Sequence, residues 1–121
     1  MLNYDVDGRV LFIAASGTPT DEDRRRLLDA IEADPRVPAA ALVLLDVRRA
    51  DARGNPREVE HRTRYFIQKL GPKVGPVCAV IVAPELMHEA VHMQSAGAEL
   101  GLRIGLFKSE DEARTWLRAY E

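Results

Sequence analysis

His88-Glu89-Ala90-Val91-His92 is the first string in this chain whose residue types and spacing could do chemistry. An H-E-x-x-H string on a helix is the signature of zinc hydrolases. Two imidazoles one helical turn apart ligate the metal, a third side chain completes the set, and the glutamate acts as base for a zinc-bound water. By spacing alone, Glu110 or Glu112 could serve as the third ligand. Helical geometry argues against this chemistry. At about 100° per residue, Leu86, Ala90, Met93, Gly97 and Leu100 cluster within about 80° of arc, and His88 and His92 point almost opposite, beside Ser95 and Glu99. A catalytic zinc needs a sheltered cleft with supported ligands. The His pair instead reads as a solvated face able to bind added metal adventitiously, so no resident metal is expected.

A second constellation joins Asp46, Arg48, Arg49 and Arg53 to a helix start at Asn55-Pro56. Three guanidiniums near the positive end of a helix suit an anionic group or an acidic protein surface. The plainer alternative is an ordinary solvated connection in which Asp46 accepts hydrogen bonds from its own loop. Asp46, Arg48, Arg49, Arg53 and Asn55 are the candidate partner- or anion-binding residues. Cys78 lies inside an apolar run, as a core thiol would, and His61 near a helix start reads as a surface residue. The chain has no G-x-S-x-G elbow, no P-loop and no G-x-G-x-x-G string. No catalytic residue and no cofactor are assigned.

The elements that must position these residues are legible as alternating strands and helices. Leu2, Tyr4 and Val6 alternate with Asn3, Asp5 and Asp7, and Asp7-Gly8 reads as a tight turn into a second strand over residues 9–15. That strand is apolar on both alternation sets and is expected to be covered on both faces. Residues 41–47 and 77–83 are continuous apolar runs of the kind that buried parallel strands show. Leu102, Ile104 and Leu106 alternate with Arg103 and Gly105, a strand nearer an edge. Helix starts are marked by Thr20 with Asp23, by Asn55-Pro56 with Glu58, by Pro84, and by Ser109 with Glu112. Leu27, Leu28 and Ile31 stripe the first helix; Val59, Thr63, Phe66, Ile67 and Leu70 stripe the second until Gly71-Pro72. The order β-β-α-β-α-β-α-β-α predicts one α/β sandwich domain over residues 1–121, with a mainly parallel five-stranded sheet and an antiparallel N-terminal strand.

Composition bounds the function. With 46% hydrophobic and 30% charged residues the chain is globular. Its longest apolar runs, residues 39–45 and 77–83, fall far short of the roughly 20 residues of a membrane span. A single cysteine and an N-terminus without signal-peptide character lead to the expectation of a cytoplasmic protein. The net charge is only −2, which argues against nucleic-acid binding. Residues 46–73 nevertheless carry eight Lys/Arg against four Asp/Glu, a net of +4, between two flanks of −3 each. An acidic partner would be drawn to that middle third.

The element order, the strand ending in Leu44-Leu45-Asp46, the segment Ala79-Val80-Ile81-Val82-Ala83-Pro84 and the run Gly101-Leu102-Arg103-Ile104 resemble the SpoIIAA-like, or STAS, family. The closing segment from Phe107 through Ser109, Glu112 and Trp116 to Leu117 carries the likeness to the end of the chain. It is closest to a small stand-alone bacterial branch. The resemblance implies a SpoIIAA-like sandwich and a non-enzymatic interaction or regulatory module. In the anti-sigma-factor antagonists of that family, a serine at the start of the helix after the third strand is phosphorylated. Here the corresponding stretch reads Ala52-Arg53-Gly54-Asn55-Pro56, and no Ser or Thr occurs between Thr20 and Thr63. A phosphorylation switch at that site is ruled out. Docking of another protein with an acidic surface through Arg48, Arg49 and Arg53 is the first expectation. The second is a carrier of a small apolar, lipid-like ligand, because the fold also resembles the CRAL-TRIO lipid-binding domains. A 121-residue chain that must fill its own core has little room for a cavity, which association into a homo-oligomer could enlarge. In the carrier, the ligand would meet the helix–sheet contact at Ala90 and Gly97.

Overall fold

A computed structural model describes residues 1–51 and 56–121. Two strands open the chain, β1 (Leu2–Asp7) and β2 (Val10–Gly17), followed by α1 (Asp21–Ala33) and β3 (Ala41–Ala50). Next come α2 (Pro56–Leu70), β4 (Val74–Ile81) and a short 3₁₀ turn (Pro84–Leu86) leading into α3 (Met87–Glu99). β5 (Arg103–Phe107) and α4 (Glu110–Arg118) close the chain. The sheet runs β1-β2-β3-β4-β5, with β1 antiparallel to β2 and every other pair parallel. The mixed sheet is the one expected from the sequence.

This order decides where the helices go. Each parallel connection steps the same way across the sheet, and right-handed crossovers then place α1, α2 and α3 on one face. Leu11, Ile13, Val43, Cys78, Val80 and Ile104 point to that face and form the larger core with Leu28, Ile31 and Leu70. α4 returns over the opposite face, where Ala113 and Leu117 close on Val10, Leu42, Leu44, Val77, Ala79 and Ile81. β2 is thus apolar on both sides; Phe12 packs half-buried against this second core, with Arg114 of α4 over its ring at 6.0 Å, and Ala14 is also half-buried.

Local signals account for the element ends. Thr20 accepts from the Asp23 backbone N–H at 3.0 Å while the Thr20 N–H donates back to Asp23 at 2.9 Å, a reciprocal capping box. Ser109 accepts from the Glu112 N–H at 3.2 Å to start α4. Pro84 starts a 3₁₀ turn, and the α-helix begins only at Met87. β4 begins at Val74, earlier than its apolar run suggests, and the register against β3 shifts between Ala41 and Val43 to accommodate Gly75-Pro76. β3 is longer than expected. It continues through Arg48 and Arg49 to Ala50, so these residues belong to a strand and not to a loop. On the outer strand β5, the Gln94 side chain of α3 donates to the Ile104 carbonyl at 2.9 Å.

α1 and α2 lie side by side and, among the described residues, ion pairs and hydrogen bonds fasten them near their C-termini. Lys69 Nζ contacts Asp29 at 2.7 Å and Glu32 at 3.3 Å. Lys73 Nζ donates to the Glu32 and Asp34 carbonyls, both at 2.7 Å, satisfying groups that the end of α1 leaves open. Asp34 in turn accepts from Tyr4 Oη at 2.8 Å and pairs with Arg36 at 2.7 Å, tying the same end to β1. No helix among the described residues is long and apolar enough to cross a membrane.

Candidate functional site

The His88/His92 pair stands on the exposed side of α3, its ring centroids 6.5 Å apart. Glu110 and Glu112 lie on α4, across the sheet from α3, so neither completes a metal site with the histidines. Glu110 is instead bound by Arg114 at 2.8 Å, and Glu112 serves the cap of its own helix. Among the described residues no group of three or more His, Cys, Asp or Glu could hold a metal ion. Glu89 lines an open groove of about 590 Å³ that it shares with Glu85, Arg48 and Arg49. Among the described residues its buried Oε2 has no hydrogen-bond partner.

The basic constellation is brought together only in part. Arg48 folds back on Asp46, donating from Nε at 3.0 Å, from the terminal guanidinium nitrogen at 2.7 Å and from its backbone N–H at 3.1 Å. Side-chain and backbone bonds from Arg48 hold the Asp46 carboxyl below its usual range, while Asp46 raises the Arg48 pKa. This internal pair occupies the guanidinium that a partner would have to recruit. Arg49 is exposed beside it. Arg53 and Asn55 lie outside the described residues.

A second concavity, with a more apolar lining, lies elsewhere. Between the N-terminal half of α1 and the middle of α2, over the C-terminal ends of β2 and β3, is a pocket of about 590 Å³. Ile13, Leu45, Cys78 and Ile104 of the sheet form its floor, with Leu27, Leu28, Tyr65 and Phe66 of the two helices as walls. Arg24, Arg25, His61 and Arg62 stand around it, together with Asp21, Glu22 and Asp51. Burial pushes the Cys78 thiol up to about 12, so the floor presents an uncharged, unreactive sulfur. The expectation of little room for a cavity is overturned. The clamp at Lys69 and Lys73 holds α1 to α2 at one end, and the space opens at the other. Ala90 and Gly97 do not line it; a Cβ on Gly97 would stand 2.6 Å from Ile104 Cδ1, in tight helix–sheet packing.

Arg24 and Arg62 went unnoticed as site residues, although the sequence carries their signal. Arg24 precedes Leu28 by one helical turn and Arg62 precedes Phe66 by one turn, so each interrupts a core-facing stripe with a cation. The Arg24 side chain is only 24% exposed and that of Arg62 33%. Burial is the main cause lowering the Arg24 pKa, and the Arg62 charge lowers it further against the opposing pull of Asp21.

No family model matches the chain, and the curated proteins hold no significant match. Solved structures do match. An uncharacterised protein of the DUF3478 family with a SpoIIAA-like fold, from Shewanella loihica PV-4, superposes with a TM-score of 0.68 at 18% identity, over 97% of this chain and 92% of that one. An anti-sigma factor antagonist from Mycobacterium paratuberculosis gives a TM-score of 0.66 at 17% identity, over 98% and 93% of the two chains. The fold is thus matched along nearly the full length of both structures, and this chain has the SpoIIAA-like fold.

Proposed function

We propose that this protein is a non-enzymatic binding module whose pocket between α1 and α2 holds a small apolar molecule. The observation that carries this is the pocket itself. Its volume of about 590 Å³ lies within the roughly 300–1,000 Å³ of small-molecule sites, and its floor is apolar. Its position over the C-terminal ends of parallel strands is where α/β sheets commonly bind ligands. Nothing in that floor supplies a nucleophile or a metal cluster, which supports a role in holding a ligand and not in converting it. The test is titration with the neutral, fluorescent N-phenyl-1-naphthylamine. Saturable one-to-one binding that is lost in Leu28→Trp, a change that fills the pocket, supports the proposal. Absence of saturable binding to the folded wild-type protein removes it.

Docking of a protein with an acidic surface is a second proposal, favoured by the exposed Arg49 at the end of β3 and by likeness in fold to an anti-sigma factor antagonist. With Arg48 engaged by Asp46, the interaction would fall mainly on Arg49. A partner recovered with the wild-type chain and lost with Arg49→Glu supports this second role; equal recovery counts against it. The same substitution is expected to leave naphthylamine binding unchanged.

A further inference from the structure

We infer that the pocket selects a ligand with a singly charged anionic head, a hydrocarbon carboxylate, whose head is received by Arg24 and Arg62 while its chain lies on the apolar floor. This inference rests on the proposal that the pocket holds an apolar molecule and adds the chemistry of its polar end.

Several observations converge on it. Arg24 and Arg62 both sit at core-facing positions of their helices and both line the pocket, so two guanidiniums border an apolar space. Their counter-ions are on the solvent side. Asp21, which accepts one bond from Arg24 at 3.0 Å, is 90% exposed, and Glu58 stands 3.8 Å from Arg62, beyond hydrogen-bond distance. Each guanidinium carries five N–H donors in a planar fork suited to two-point binding of a carboxylate. Among the described residues, Arg24 uses one of them and Arg62 uses none. The first turn of α1 also borders the pocket, adding the positive end of that helix. A single negative charge is favoured over a doubly charged phosphate because Asp21, Glu22 and Asp51 also border the pocket. The lowered pKa of Arg24 accords with two cations held close in a partly dry place, where an anion would relieve their repulsion.

The test compares decanoate with decanol, which share a chain and differ in head, as competitors of bound N-phenyl-1-naphthylamine. In the wild-type protein decanoate is expected to displace the probe at concentrations about tenfold or more below those of decanol. In Arg24→Gln/Arg62→Gln that preference should vanish while decanol competes as before. Arg24→Lys/Arg62→Lys keeps the charge without the planar fork and should retain an intermediate preference. It also guards against a glutamine variant that fails to fold. Equal displacement by the two competitors in the wild type, or a preference untouched in the folded glutamine variant, overturns the inference and leaves the pocket proposal standing. If neither the probe nor decanol binds the folded wild type, the pocket proposal itself fails.

Discussion

On one face of the sheet, nine residues of α4 make a close seal. Ala113 and Leu117 are fully covered, and the Trp116 ring packs between Phe107 and Tyr120 at centroid distances of 5.4 and 5.1 Å. Gly105 is a glycine for a reason of space, since a Cβ there would lie 2.8 Å from the Phe107 ring and 3.2 Å from Trp116. On the other face three longer helices cover the same strands and leave a pocket of about 590 Å³. More helix has produced less filling. The difference lies in what stands between helix and sheet. α4 presents an alanine, a leucine and an aromatic ring, whereas α1 and α2 each place an arginine on the core-facing stripe and, among the described residues, are clamped at their far ends. A cation on that stripe must keep water or a counter-charge within reach, and close-packed hydrocarbon there would leave it unsatisfied.

The largest effect that could break this contrast comes from truncating one side chain on each face. Leu117→Ala, in the sealed layer, is expected to lower unfolding free energy by about 2–5 kcal/mol in denaturant titrations. Phe66→Ala, at the pocket wall, should cost less, below about 2 kcal/mol, because its ring already borders open space. Equal losses would mean that the two faces are packed alike. Next in size, Gly105→Ala should cost about 1–3 kcal/mol through displacement of the Phe107 and Trp116 rings, with a change in tryptophan fluorescence reporting the shift.

A pH series sharpens the role of the closed end of the α1–α2 pair. Bonds from the Arg36 side chain and backbone, and then from Tyr4, hold the Asp34 carboxyl well below the usual carboxylate range. A depressed carboxylate stabilises the fold above its unfolded pKa of about 4, and that contribution fades as pH falls through the acid range. Asp34→Asn should therefore lower the melting temperature at pH 7, with the gap to wild type closing as pH falls toward about 2. A gap independent of pH would show that the charge is not what ties this end. The smallest effect is expected at the exposed histidines of α3, where His88→Ala/His92→Ala should change stability by less than about 0.5 kcal/mol and leave naphthylamine binding unaltered. A larger loss would mean that α3 uses its outer face structurally.

Much of the fold was legible because its signals are local. Thr20 with Asp23 and Ser109 with Glu112 start helices in the structure as their spacing implies, and the unbroken apolar runs became inner parallel strands. The misjudged limits have physical causes. β3 outlasts its apolar residues because pairing with β2 continues through Ser16↔Arg49 and Gly17↔Ala50, where backbone bonds and not burial hold the strand. β4 starts early because a register shift absorbs Pro76, a residue that ordinarily ends a strand. The basic cluster was found, but the closure of Arg48 onto Asp46 follows from their projecting to the same side two residues apart on a strand, which a loop assignment hides. The pocket was missed because it depends on how far α1 and α2 part at one end, a distance no single segment encodes. Its trace in the sequence, an arginine one turn before Leu28 and another one turn before Phe66, has meaning only when the two helices are known to be neighbours.

The Gln94 bond to Ile104 bears on a hazard that every open sheet faces. Since the Phe107 carbonyl is used inward by Val82 at 2.8 Å, the alternate Ile104 carbonyl faces away from β4, along the rim of the sheet. A rim of free backbone groups is a template on which a foreign strand can grow. By spending a side-chain amide on that carbonyl, α3 removes a docking point from a rim only five residues long. At the opposite rim, Asn3, Asp5 and Asp7 keep polar, mostly anionic side chains exposed along β1. Both ends of the sheet are thereby poor seeds for the strand-to-strand polymerisation that leads to fibrils, and the molecule can expose an open pocket without also offering an edge.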